Sequence, residues 1–187
     1  MSRHYAEIAF TRSVQEMQTR QGSRKVYAHW DDDNPPPMVL GERERAFIEA
    51  RDSFYQATVN GNGWPYVQYR GGPVGFLKVL DNQRIGYADF RGNVQYISVG
   101  NMMDNDRTAL ILMDYVNRHR LKIYASAKLI EYKDNPELVA SLENVHYRAR
   151  VERAVILTVQ AFDWNCPQHI TPRYTQAEIE RYFPEFE

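Results

Sequence analysis

The sequence predicts a mainly β chain, with six or seven antiparallel strands forming a small closed or nearly closed barrel flanked by helices. Three observations predict it. From residue 54 the hydrophobic pattern changes from helical spacing to alternating or continuous apolar runs. Turn residues break these runs at short intervals. A chain of 187 residues with 43% hydrophobic content is long enough to bury one core, so a single domain is expected.

The elements follow in order. Phe10, Val14 and Met17 stand at helical spacing and predict a short amphipathic helix over residues 6–20, stopped at Gly22. DDDNPPPM, residues 31–38, combines three acids with three prolines, continues neither helix nor ladder, and reads as an extended linker. ERERAFIEARDSF then places Ala46, Phe47, Ala50 and Phe54 on one helical face, a helix suited to covering one end of the barrel. FYQATV, YVQYR, VGFLKVL and IGYADF read as successive strands, joined by NGNGWP and DNQ among the turns. RTALILMDY and RLKIYASAKLIEY continue the series, the second with Leu121, Ile123, Ala125, Ala127 and Leu129 on one face. DNPELVASLENVHYRA begins with Asn-Pro and carries apolar residues at 138, 139, 142 and 145, predicting a helix of about three turns. RAVILTVQAFDWN returns as a long buried strand. The chain thus divides into a helical arm with its Pro-rich linker (1–40), the barrel (41–174) and a short C-terminal helix (175–187).

Composition excludes several functions. Lys and Arg number 23 against 24 Asp and Glu, a net charge of -1, which argues against a nucleic-acid binder or a protein held on an anionic membrane. No apolar run approaches the ~20 residues of a membrane helix, and MSRHYAEIAF lacks the order of a secretory signal, so a cytoplasmic chain is expected. Cys166 is the only cysteine, which excludes an intrachain disulfide and a cysteine-zinc site. No histidine metal site, P-loop or Ser-His-Asp spacing occurs, and no catalytic residue is assigned.

Three stretches carry candidate chemistry. In RGGPVGFLK, residues 70–78, three glycines and a proline interrupt a strand, which fits either a bulge at a barrel corner or the approach of a planar group to the backbone. Alternation there puts Phe76, Lys78 and Leu80 on one face, and an ammonium between two apolar groups suits an anion or snorkels to solvent. The polar stretch 89–107 offers Arg91, Asn93, Ser98 and Asn101 with backbone N–H groups as phosphate donors, or is a solvated connection ending in a helical turn. In FDWNCPQHITPRY, Trp164, His169, Arg173 and Tyr174 could rim a planar anionic ligand, while Cys166 and His169 taken singly read as structural.

In this order, GFLKVLD, IGYADFRGN, the loop holding Ser98, and NDRTALILMDY resemble the pyridoxamine 5'-phosphate oxidase-like family of FMN-binding split barrels. The tail resembles a family branch that carries WNCPQHI, and the likeness covers about residues 43–174. The resemblance implies a six- or seven-stranded antiparallel split β-barrel with FMN in a groove between two subunits of a homodimer. It implies the flavin ring against Pro73 to Leu77, with Gly75 and Phe76 offering backbone groups, and Lys78 closing the ring-binding strand. It further implies cofactor contacts from Leu77, Tyr87, Ala88, Arg91, Ser98 and Asn101, and from Trp164 and Arg173 of the tail. Two departures stand out: Pro73 replaces the arginine that opens the family's ring-binding strand, and Val99-Gly100 replaces an Arg-Lys pair. The implied activity is an FMN-dependent oxidoreductase acting on a small-molecule substrate, with a reduced nicotinamide as possible donor. The alternatives are a non-catalytic flavin-binding protein, the same fold holding haem or a deazaflavin, and a dimeric structural module.

Overall fold

The computed structural model describes residues 3–28, 38–164 and 166–184. Seven strands form one antiparallel sheet: β1 (Ser53–Val59), β2 (Pro65–Gly71), β3 (Lys78–Val79), β4 (Arg84–Phe90), β5 (Arg107–Asp114), β6 (His119–Glu131) and β7 (Val151–Trp164). Their order is β2-β1-β5-β6-β7-β4-β3. The sheet is not closed, so of the expected closed or nearly closed barrel it is the open, split form, with β2 and β3 as its two edges. Alternation sets the interior. Phe54, Gln56 and Thr58 of β1 point inward, with Leu110 and Leu112 of β5, Leu121 and Ile123 of β6, and Leu157 and Val159 of β7. Each fully buried leucine contributes about 1.5–3 kcal/mol through its transfer from water.

The split originates in the chemistry of residues 71–77. Gly75 sits at φ +79°, the left-handed region that suits glycine, and the Phe76 N–H turns back to the Pro73 carbonyl at 2.9 Å. The expected strand 74–80 therefore shrinks to Lys78–Val79. Phe76 turns inward and stacks on Phe54 with ring centroids 5.6 Å apart, whereas Lys78 turns outward. The single face expected for Phe76, Lys78 and Leu80 is thereby corrected.

Helices cover the outside. The arm is three helices, α1 (Arg3–Ala9), α2 (Arg12–Arg20) and α3 (Arg24–Tyr27), rather than one over 6–20, because Thr11 caps α2 by accepting the Val14 N–H. Residues 31–37 of the expected linker lie outside the described residues. Helix α4 (Glu42–Glu49) ends before Phe54, which belongs to β1, so the helical face expected to include Phe54 is instead anchored by buried Ile48. Helix α5 (Ile97–Asp104) forms the middle of the stretch 89–107 that reads as a polar connection. Helix α6 (Pro136–Leu142) starts on the Asn135 cap, as Asn-Pro predicts, and stops a turn early, leaving Val145 exposed. It packs Val139 and Leu142 on Ala88, Ala154 and Ile156. Gly86 permits this approach: a Cβ there would lie 3.0 Å from Ile156 Cδ1 and 3.2 Å from Leu80 Cδ1. Helix α7 (Gln176–Tyr182) carries a Thr175/Glu178 capping box.

Candidate functional site

β3 pairs with β4 only at Lys78↔Gly86 and Val79↔Ile85. Past Gly86, β4 has no strand on that side, and side chains from β2 cross the gap. Arg70 Nη1 of β2 donates to Asp89 Oδ1 of β4 at 2.9 Å, and Arg153 Nη1 of β7 donates to Asp89 Oδ2 at 2.8 Å. Arg153 Nε continues to Glu131 Oε1 of β6 at 2.9 Å. Asp89 is buried, and a buried carboxylate is stable only when charge and hydrogen bonds meet both of its oxygens. The two arginines provide this and tie the sheet edges together.

Beside this strap lies a cavity of about 240 Å³. Its walls include Tyr66, Gln68 and Arg70 of β2, the loop 92–96, and Ile97, Ser98 and Val99 in the first turn of α5. Tyr66, Gln68 and Arg70 share one face of β2, as alternation dictates. The loop is held in an uncommon conformation, with Val94 at φ 57° and Tyr96 at φ 54°. Tyr96 anchors it by donating its hydroxyl to Glu152 Oε1 at 3.0 Å. At the helix start Tyr96 gives no side-chain cap and the first turn holds no acid. The first N–H groups of α5 therefore keep their capacity to donate, at the positive end of the helix dipole. The Ser98 hydroxyl, on a residue only 4% exposed, has no hydrogen-bond partner among the described residues. Arg70 Nε is likewise buried without a partner. Its two carboxylates, Asp89 and Glu152, are already paired with arginines, which leaves donors at Ser98, Arg70 and the first turn of α5 for a small oxyanion.

Of the residues expected to bind cofactor, Ser98 lines this cavity and Arg91 stands beside it, 3.8 Å from Glu152 Oε1. The others lie elsewhere. Asn101 is buried a turn further along α5 and donates to Thr58 Oγ1 at 3.0 Å, fastening the helix to β1. Tyr87 lies in the barrel interior, its hydroxyl donating to Gln56 Oε1 at 2.7 Å, and burial pushes its phenol well above the ordinary tyrosine range. Ala88 is covered by α6. Phe76 and Leu77 are core residues. The N–H groups of Gly72 and Gly75 donate to Asp52 and Arg51 carbonyls, and α4 takes both main-chain groups of Val79 through Glu49 and Arg45. The glycine-rich stretch 70–78 is thus bound to its own chain. Lys78 Nζ donates to the Ser141 carbonyl at 2.6 Å and the Glu143 carbonyl at 3.3 Å, capping the C-terminus of α6. Trp164 donates from Nε1 to Glu44 Oε1 at 2.8 Å under the Arg43 guanidinium. Arg173 stacks 5.0 Å over Tyr115. Sequence reasoning missed Arg70 and Gln68. Their signal was the alternation in YVQYR, which puts polar groups on an inward face.

No group of three or more His, Cys, Asp or Glu positioned to hold a metal ion occurs among the described residues, and no helix among them is long and apolar enough to cross a membrane.

A seven-stranded antiparallel sheet split along one seam and flanked by helices is the architecture of the FMN-binding split barrels. Residues 40–164, more than half the chain, match the family profile of pyridoxamine 5'-phosphate oxidase, and the chain belongs to that family. Among solved structures, a candidate pyridoxamine 5'-phosphate oxidase from Lactobacillus delbrueckii is 21% identical with a TM-score of 0.51, covering 67% of this chain and 93% of its own. An FMN-binding protein from Syntrophomonas wolfei is 14% identical with a TM-score of 0.52, covering 79% and 97%. HupZ of Group A Streptococcus is 14% identical with a TM-score of 0.51, covering 72% and 99%. At these identities the likeness establishes the fold. No protein of curated function matches the chain.

Proposed function

We propose that the chain binds FMN as a homodimer and acts as an FMN-dependent oxidoreductase on a small-molecule substrate. The observation that carries the reading is the uncapped start of α5, where the buried, unpartnered Ser98 hydroxyl lines a cavity in a chain of this family. A phosphate monoester suits that donor set. The rest of the cofactor does not fit inside: about 240 Å³ is below the roughly 300–1,000 Å³ of sites that enclose a whole ligand. Ser98 and the first turn of α5 would hold the phosphate, and the flavin would lie outside, along the mouth of the seam beside Tyr66 and Gln68. Bound FMN supplies the hydride and electron chemistry, and the chain supplies position and electrostatics.

The second subunit is read from the outer face of β2 and β1. Val67 and Trp64 are 61% and 74% exposed, Tyr69 is also exposed, and a shallow apolar hollow runs between Val67, Ala57 and Ala109. A second copy covering this face would remove the patch from water and wall the mouth of the seam. A cytoplasmic setting belongs to the same reading and suits the free, exposed Cys166.

The test is the visible spectrum of untreated purified protein, followed by anaerobic addition of NADH or NADPH. Flavin bands that bleach support the oxidoreductase. Flavin bands that persist favour a binding protein that does not react with nicotinamide, and a Soret band favours haem. A colourless protein whose Tm does not rise with saturating FMN contradicts the proposal, because a ligand that binds the folded state raises Tm.

A further inference from the structure

We propose that Arg70 is the cation that receives the phosphate in the seam cavity, rather than Lys78, which the family resemblance places at the end of the ring-binding strand. The inference rests on the FMN reading above and adds a residue to it. Two sets of observations carry it. First, Lys78 Nζ is engaged by the Ser141 and Glu143 carbonyls on the α6 side of the sheet, and Lys78 is not among the cavity residues. Secondly, Arg70 lines the cavity with Ser98 and spends only part of its donor fork. Nη1 is held by Asp89 Oδ1 at 2.9 Å and the guanidinium lies 5.7 Å from the Tyr87 ring centroid. Nη2 makes no hydrogen bond among the described residues and is free to donate to a phosphate oxygen.

The charge balance agrees. Asp89 and Glu152 are the two carboxylates at the cavity among the described residues. Arg70 and Arg153 hold Asp89, while Arg153, Arg91 and the Tyr96 hydroxyl contact Glu152. With Glu131, which also pairs with Arg153, three guanidinium groups meet three carboxylates, so both cavity carboxylates are neutralised beside the N-terminal turn of α5. Asp89, clamped from both sides, fixes Arg70 in place before any ligand arrives, so little side-chain freedom is lost on binding.

The test compares FMN with riboflavin, which differ by the phosphate, through quenching of flavin fluorescence on wild type, Arg70→Gln and Arg70→Lys. Because both ligands are measured on each protein, a general loss of stability cancels in their ratio. Arg70→Gln should weaken FMN about ten- to hundredfold, the loss of one charge-assisted hydrogen bond, and leave riboflavin within about twofold. Arg70→Lys, which keeps the charge and is the measurement if Arg70→Gln does not fold, should weaken FMN by about three- to tenfold with riboflavin again unchanged. A variant that retains the full wild-type preference for FMN, or loses both ligands equally, overturns the assignment while the flavin reading stands. Wild type that binds neither flavin overturns the flavin reading and this assignment together.

Discussion

Arg153→Met removes the β7 partner of Asp89, the carboxylate that Arg70 meets across the seam. The Arg153 side chain is 11% exposed and that of Asp89 6%, with 2.8 Å between Nη1 and Oδ2. Removing one partner of a buried pair costs about 3–5 kcal/mol, because the remaining charge is left without its counter-ion. Glu131 is 45% exposed and adds little, and Asp89 keeps Arg70, so the lower end, about 3 kcal/mol, is expected. For a chain of this size about 1 kcal/mol shifts Tm by roughly 2–4 °C, giving a fall of about 6–12 °C. The assay is urea unfolding followed by tryptophan fluorescence, with Asp89→Asn and the double variant completing a cycle. The coupling energy should exceed about 1 kcal/mol at unchanged m. A loss below about 1 kcal/mol, or additive single effects, would show that water screens the pair and that the seam is held by something else.

Three further predictions follow from the same geometry. Ser98→Asp puts a carboxylate at the start of α5 where the phosphate is read to bind, and should weaken FMN at least about tenfold while riboflavin binding persists; titration of both flavins checks it. Lys78→Met removes the cap on α6 and should cost about 1–2 kcal/mol in urea unfolding, with the ratio of FMN to riboflavin affinity unchanged; a collapse of that ratio would return the phosphate to Lys78. Val67→Asp places a charge in the exposed outer face and should convert the proposed dimer to folded monomer by sedimentation velocity with an intact circular dichroism spectrum. Sedimentation identical to wild type would move the interface to another face.

The sheet was largely legible because its strands are specified locally. FYQATV, IGYADF and the three later runs alternate or bury continuously, and β1 and β4 to β7 form where those runs lie. The failures have physical causes. Residues 74–80 carry strand-forming side chains, but Gly75 at positive φ and the turn at Pro73 cut the ladder to two residues. Helix α5 was hidden because it is only eight residues long, holds Gly100, and lies inside a longer polar stretch. It forms because Val99 and Met102 bury against the barrel and Asn101 bonds Thr58.

The candidate site was legible only where its chemistry is local. Ser98 was visible as a hydroxyl in a polar stretch flanked by glycines. Arg70 was not, because its importance depends on Asp89, 19 residues later, meeting it across a gap that exists only when β3 is short. Lys78 drew attention as a cation beside a hydrophobic run, and nothing in its neighbourhood in sequence announces the carbonyls of Ser141 and Glu143 that hold it.

The central claim is that the seam beside α5 receives the phosphate of a flavin. A crystal structure of the chain with FMN tests it most directly. The phosphate is predicted to lie against the first turn of α5, within hydrogen-bond distance of the Ser98 hydroxyl and the Arg70 guanidinium, with the ring outside the cavity. Density placing the phosphate beside Lys78, with Ser98 and Arg70 untouched, would contradict the account.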